Sequence, residues 1–184
     1  MSETPRARMP AAVRRAGIIR AADAEFAANG LAGTRLEAIA GRAGISHPRI
    51  VQMFGSKRKL FLEVVHAAFD RIEAAFEGAE PTLAALGAAY LRLLRSDPTV
   101  GLVVLQGYAA TADATVKEEV RRRHVGLMHS VARSSGADAL QVRTFFATGL
   151  VQTISAALEL PEQRADLAWS TWILELADPP PPAG

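Results

Sequence analysis

Residues 46–59, SHPRIVQMFGSKRK, hold the side chains of this chain best suited to recognising a nucleic acid. A guanidinium such as Arg49 matches guanine N7 and O6 with two parallel N–H bonds, and a carboxamide such as Gln52 pairs similarly with adenine. At helical spacing His47, Arg49 and Gln52 share an outward face that can enter a major groove. Lys57, Arg58 and Lys59 then open another helix, where backbone N–H groups also face outward and suit a phosphate. The expected DNA-contacting set is Thr34, Arg35, Ser46, His47, Pro48, Arg49, Gln52, Met53 and Lys57. At this stage Arg49 fits either a base edge, which specifies sequence, or a phosphate, which only positions.

No spacing for catalysis or metal binding competes with this reading. The four histidines, His47, His66, His124 and His129, form no i, i+4 pair and no HExxH element. There is no GxSxG, Walker loop or dinucleotide fingerprint. Phe54-Gly-Ser-Lys57 has one glycine before its lysine and follows a helix, so it is no phosphate loop. The carboxylates sit mainly on amphipathic polar faces. The chain is expected to be no enzyme, with no catalytic residues, metal or cofactor.

The elements that must present the 46–59 face read as helix, tight turn, helix. Thr34 with Glu37 three residues on has the pattern of a capping box. Leu36, Ile39, Ala40 and Ala43 form one apolar stripe, and Gly44 ends the helix because it enters the left-handed region without a Cβ penalty. Ser46 is the expected cap of the next helix, with Pro48 in its first turn. Ala40 permits close approach, Gly44 turns the corner and Ile50 locks the helices together.

Residues 14–62 resemble the DNA-binding domain of the TetR family of transcriptional repressors. The resemblance rests on Ile18, Ala21–Ala22, Phe26, Asn29, Gly30, Thr34, Ile39–Ala40, Ala43–Gly44–Ile45–Ser46, Phe54, Ser56–Lys57 and Leu60. Beyond it the chain is similar to the family in length and helical character. Two departures stand out: Leu31 where the family usually has an aromatic, and Val51 where it usually has a tyrosine whose phenol meets phosphate. The resemblance implies a homodimer on a palindromic operator, released when a small molecule binds the C-terminal domain. It also implies that the fourth helix transmits binding to DNA by its tilt.

Composition agrees with a helical globular protein: 49% of residues are hydrophobic and β-branched runs are few. With no cysteine, no signal core and no apolar run long enough for a membrane, a cytoplasmic location is expected. Residues 1–60 hold 11 Lys/Arg against 4 Asp/Glu, and residues 61–184 hold 10 against 15. One basic end on an acidic remainder is the footprint of nucleic-acid binding by that end.

The expected organisation is all-α with about nine helices. A flexible basic arm (1–9) precedes a three-helix helix-turn-helix domain (10–56). A helical ligand-binding and dimerisation domain (57–177) follows, then a disordered Pro-rich tail (178–184). Helices are expected over 10–29, with Val13 inward and Asn29–Gly30 as its end, and over 57–78, 81–95, 98–110, 114–133, 139–158 and 162–177. Asp138 and Gln141 have the pattern of a capping box. Gln106, Gly107, Tyr108, His124 and Met128 are the candidate ligand-binding residues, against the alternative of a packed core. Phe145, Phe146, Gly149, Leu150, Ile154, Trp169, Trp172 and Ile173 are the candidate dimer interface, against completion of the monomer core. A ligand-responsive repressor is thus expected, with double-stranded DNA, an unknown small molecule and a second copy as partners and no membrane. A constitutive architectural DNA binder and a helical protein-interaction module remain the alternatives.

Overall fold

The computed structural model describes residues 11–160. The described residues form eight helices and no strand: α1 (Ala11–Gly33), α2 (Leu36–Ala43), α3 (His47–Phe54), α4 (Lys57–Glu77), α5 (Leu83–Ser96), α6 (Pro98–Ala109), α7 (Ala114–Ser135) and α8 (Ala139–Ala157). The expected arm, ninth helix and tail, with Trp169, Trp172 and Ile173, lie outside the described residues. Among the described residues no helix is long and apolar enough to cross a membrane.

The first three helices close around Phe26, which is fully buried with Ile18, Ala22, Ile39 and Ile50. Phe61 of α4 meets the Phe26 ring edge-to-face, with centroids 5.0 Å apart. Val13, expected inside, is exposed, so the buried face of α1 starts near Ile18. Gly30 does not end α1. It kinks it, at φ 64° and ψ −177°, and the chain continues helically to Gly33. Beyond the kink Thr34 turns inward, and its backbone N–H donates to Gly30 O at 3.2 Å. The Thr34 hydroxyl donates to Gly30 O at 2.7 Å and lies 3.1 Å from Glu25 O. Thr34 is therefore not the cap of α2. Arg35 holds the N-cap position without a side-chain bond, and no capping box forms with Glu37.

Other caps follow local chemistry. Ser56 Oγ accepts from Lys59 N at the start of α4. α5 begins at Leu83 rather than at 81, with Thr82 as its cap accepting from Ala85 N. Asp138 and Gln141 close the predicted capping box at α8. α6 is apolar on nearly all sides and crosses the middle of the bundle, where Val100, Gly101, Val103, Val104 and Gly107 are buried. A Cβ at Gly101 would stand 2.9 Å from Leu94 Cδ2 and 3.0 Å from Thr153 Cγ2, so α6 approaches α5 and α8 at backbone distance.

α4 joins the two ends of the molecule. Leu60, Phe61, Val64, Val65, Ala68, Phe69 and Ile72 are all buried along it. Arg71 on α4 binds both carboxylate oxygens of Asp23 (α1) at 3.0 and 2.9 Å and Asp97, between α5 and α6, at 2.6 Å. On its other side Arg123 of α7 reaches Asp70 and Glu73, and Arg58 reaches Asp113.

Candidate nucleic-acid interface and interior cavity

The α2–α3 corner forms as the local sequence dictates. Gly44 is left-handed at φ 65° and ψ 34°, and Ile45 N donates to Ala40 O at 3.0 Å. Ile50 is buried behind the corner, so the opposite side of α3 faces solvent. Arg49 and Gln52 are both exposed there, and Arg49 Nη1 donates to Gln52 Oε1 at 3.0 Å. This one-turn pair holds a guanidinium and a carboxamide on one exposed face. His47 Nδ1 lies 3.0 Å from Glu37 Oε1, tying the first turn of α3 to α2. Ser46 stands at the N-cap with no side-chain cap bond, and Pro48 is exposed in the first turn.

Three expected contacts fall elsewhere. Thr34 is buried with its hydroxyl committed to backbone carbonyls. Met53 packs partly buried against the core. Lys57 Nζ donates to Thr34 O at 2.9 Å and Ala32 O at 3.2 Å, so it braces the α1–α2 link. An ammonium has three donors, which leaves one for a phosphate. No local sequence pattern signals the bracing role, because the partners are carbonyls more than 20 residues away.

A cavity of about 1070 Å³ opens between α4, α5, α6, α7 and α8. Tyr108, His124 and Met128 line it as expected; Gln106 and Gly107 do not. Gln106 faces α1, with Nε2 3.4 Å from Ala27 O. Gly107 is buried against Val65 and Val120, so it serves packing. Of the residues expected at a dimer interface, Phe145, Phe146, Gly149 and Leu150 line the cavity, and Leu150 and Ile154 are exposed.

Sequence reading missed the aromatic wall. Phe76 stacks edge-to-face on Tyr90 and Phe145, Phe145 on Phe146, Phe146 on His124, and His124 on Tyr108, with centroids 5.4–6.5 Å apart. Burial lowers the His124 pKa and pushes the Tyr108 hydroxyl up to about 12. The two groups, 2.9 Å apart, are therefore a neutral pair near pH 7. Burial raises Tyr90 as well, partly offset by its bond to Thr153. Among the described residues no group of three His, Asp or Glu side chains gathers as a metal site would.

Residues 18–64 match the family model described as bacterial regulatory proteins, tetR family. Residues 18–64 carry the TetR-family DNA-binding module. The match runs from Ile18 in α1 to Val64, part-way along α4, and so contains the whole α2–α3 corner. The fold likeness extends further. A TetR-like transcriptional regulator from Rhodococcus sp. RHA1 is 25% identical and superposes with a TM-score of 0.66 over 93% of this chain and 100% of that one. The transcriptional regulator FadR from Bacillus subtilis, solved with stearoyl-CoA, is 23% identical with a TM-score of 0.58 over 88% of this chain and 96% of its own. No curated protein matches in sequence. In this chain the helix-turn-helix and the cavity are joined by α4.

Proposed function

We propose that the chain is a cytoplasmic repressor. Residues 10–56 bind a palindromic operator and residues 57–177 dimerise and hold a small-molecule effector that releases the DNA. The observation that carries this reading is α4, whose Lys57 end braces the helix-turn-helix and whose Phe69–Phe76 end walls a ligand-sized cavity. The FadR relative holds stearoyl-CoA, and the same architecture here supports binding of a small molecule within the bundle. For release, the effector must bind the DNA-incompetent conformer more tightly.

On DNA, Arg49 and Gln52 are the readers, with His47, Ser46, Pro48 and Arg35 beside them. Arg49→Ala should cost roughly 1–3 kcal/mol on the preferred site while leaving binding to random DNA nearly unchanged. Gel shifts on both DNAs check this, after footprinting has found the protected promoter. Equal losses on the two would assign Arg49 to phosphate. A protected site without two-fold symmetry would remove the palindromic operator.

One such module buries little DNA surface, which favours dimers. The outer face of α8 offers the seam. Val151, Ile154 and Leu158, none of which lines the cavity, recur at intervals of three and four, the spacing of helices packed side by side. Ile154 and Leu158 are 38% and 63% exposed. Ile154→Arg would force a charge into this seam and should give folded monomers in sedimentation. A folded Ile154→Arg dimer would move the interface off α8.

A further inference from the structure

We propose that the cavity takes an uncharged, flat aromatic molecule bearing one hydrogen-bond acceptor, such as a ketone or amide oxygen, with its rings against Phe145 and Phe146 and its acceptor on the Tyr108–His124 pair. The inference rests on reading the cavity as the effector site.

The polar groups of the wall carry the argument. Tyr90 Oη lies 2.6 Å from Thr153 Oγ1, and Thr153 donates its own proton to Gly149 O at 2.8 Å. Tyr90 therefore donates to Thr153, and both protons are used within the wall. The Tyr108–His124 pair differs. A neutral phenol and a neutral imidazole hold two acidic hydrogens, and the single bond between them uses one. Whichever group donates, one N–H or O–H is left to meet a ligand oxygen.

The described lining residues also give a charged guest no buried partner. Among the described lining residues there is no carboxylate to meet a cation. Arg143 is the one guanidinium, and no lysine joins it. It comes from α8 with Gln141, Thr144, Thr148 and Gln152, and Arg143 itself is exposed. A carboxylate held there stays in water and gains little. One drawn inside loses hydration beside a neutral His124 and meets no cation. The run of edge-to-face rings, by contrast, offers an aromatic guest further edges and faces of the same kind.

The test uses the full chain and two probes of one shape, 2-acetylnaphthalene and 2-naphthoate, with stearoyl-CoA as a large polyanion. In titration calorimetry the ketone should bind at least about tenfold more tightly than the carboxylate, the order of one buried, unpaired charge or more. In the wild-type protein the carbonyl stretch of bound 2-acetylnaphthalene should lie below its value in hexane, reporting the donated hydrogen bond. Tyr108→Phe/His124→Phe keeps the rings and removes the donor. If folded by circular dichroism, it should lose roughly tenfold in ketone affinity and the infrared shift. An unshifted carbonyl, equal or tighter binding of 2-naphthoate or stearoyl-CoA, or no binding of any probe overturns the proposal. Preference for the carboxylate that vanishes in Arg143→Gln would place an anion at α8 instead. Ketone binding with the expected selectivity but no change in operator affinity would leave the ligand class standing and remove the effector reading.

Discussion

Arg71→Leu is expected to destabilise the chain by about 3–5 kcal/mol, the cost of stranding a buried charge. Its guanidinium forks onto Asp23, which is 9% exposed, and reaches Asp97 with its other arm. Arg71 Nε also donates to Ala67 O on its own helix, which fixes the fork in place. Burial raises the Asp23 pKa above its ordinary 3.8, and Arg71 opposes that rise. A carboxyl raised in the folded state binds protons there that the unfolded chain does not hold. Its contribution to stability is full below 3.8 and is lost as pH rises through the folded value. Removing Arg71 removes the opposing interaction, so the folded value climbs further and the window widens. The gap between wild type and Arg71→Leu should accordingly shrink on acidification from pH 7.5 to pH 5 in urea melts. A gap independent of pH would falsify the assignment to Asp23. Arg71→Lys should rescue little, because a point charge cannot hold two carboxylates from separate parts of the chain as the fork does.

Gly30→Ala should be the next most damaging change. At φ 64° and ψ −177° the residue occupies a region open essentially to glycine alone, at a cost of roughly 1–3 kcal/mol for any other residue. The added Cβ would also stand 2.5 Å from Gln106 Oε1, so the end of that side chain must shift. The two costs separate in a double-mutant cycle. Gln106→Ala should relieve the clash and leave the backbone strain, so Gly30→Ala/Gln106→Ala should recover part of the lost melting temperature. Full recovery would show that backbone strain at residue 30 contributes nothing; a neutral Gly30→Ala would remove both arguments.

Local chemistry explains which parts of the fold were legible in the sequence. Gly44, Ser46 and Ile50 act within one corner, and Asp138 with Gln141 within one turn, so their roles follow from neighbours in the chain. Thr34 with Glu37 has the same pattern, yet the kink at Gly30 sets the Glu25 and Gly30 carbonyls behind the threonine and its hydroxyl turns back to them. Those competitors are visible only once the kink is known. Gln106, Gly107 and Tyr108 were read together as one ligand patch, but consecutive helical residues point about 100° apart. One faces α1, one packs between α4 and α7, and one reaches the cavity. α8 misled for a related reason. It is apolar on two faces, and periodicity alone does not say which of Phe145 or Ile154 looks inward.

The position of Arg71 on α4 sets a mechanical ratio. Lys57 lies fourteen residues away along the helix, an arm of about 21 Å at 1.5 Å per residue, whereas Phe69 and Phe76 lie within about 8 Å on either side. If the three-element clamp is the fulcrum, a rotation of about 5° moves the cavity end by less than ~1 Å and the Lys57 end by roughly 2 Å. A displacement that side-chain rotamers absorb at the cavity exceeds, at the helix-turn-helix, what a bidentate bond to a base edge tolerates. The fold thus exchanges a short, stiff stroke for a long one.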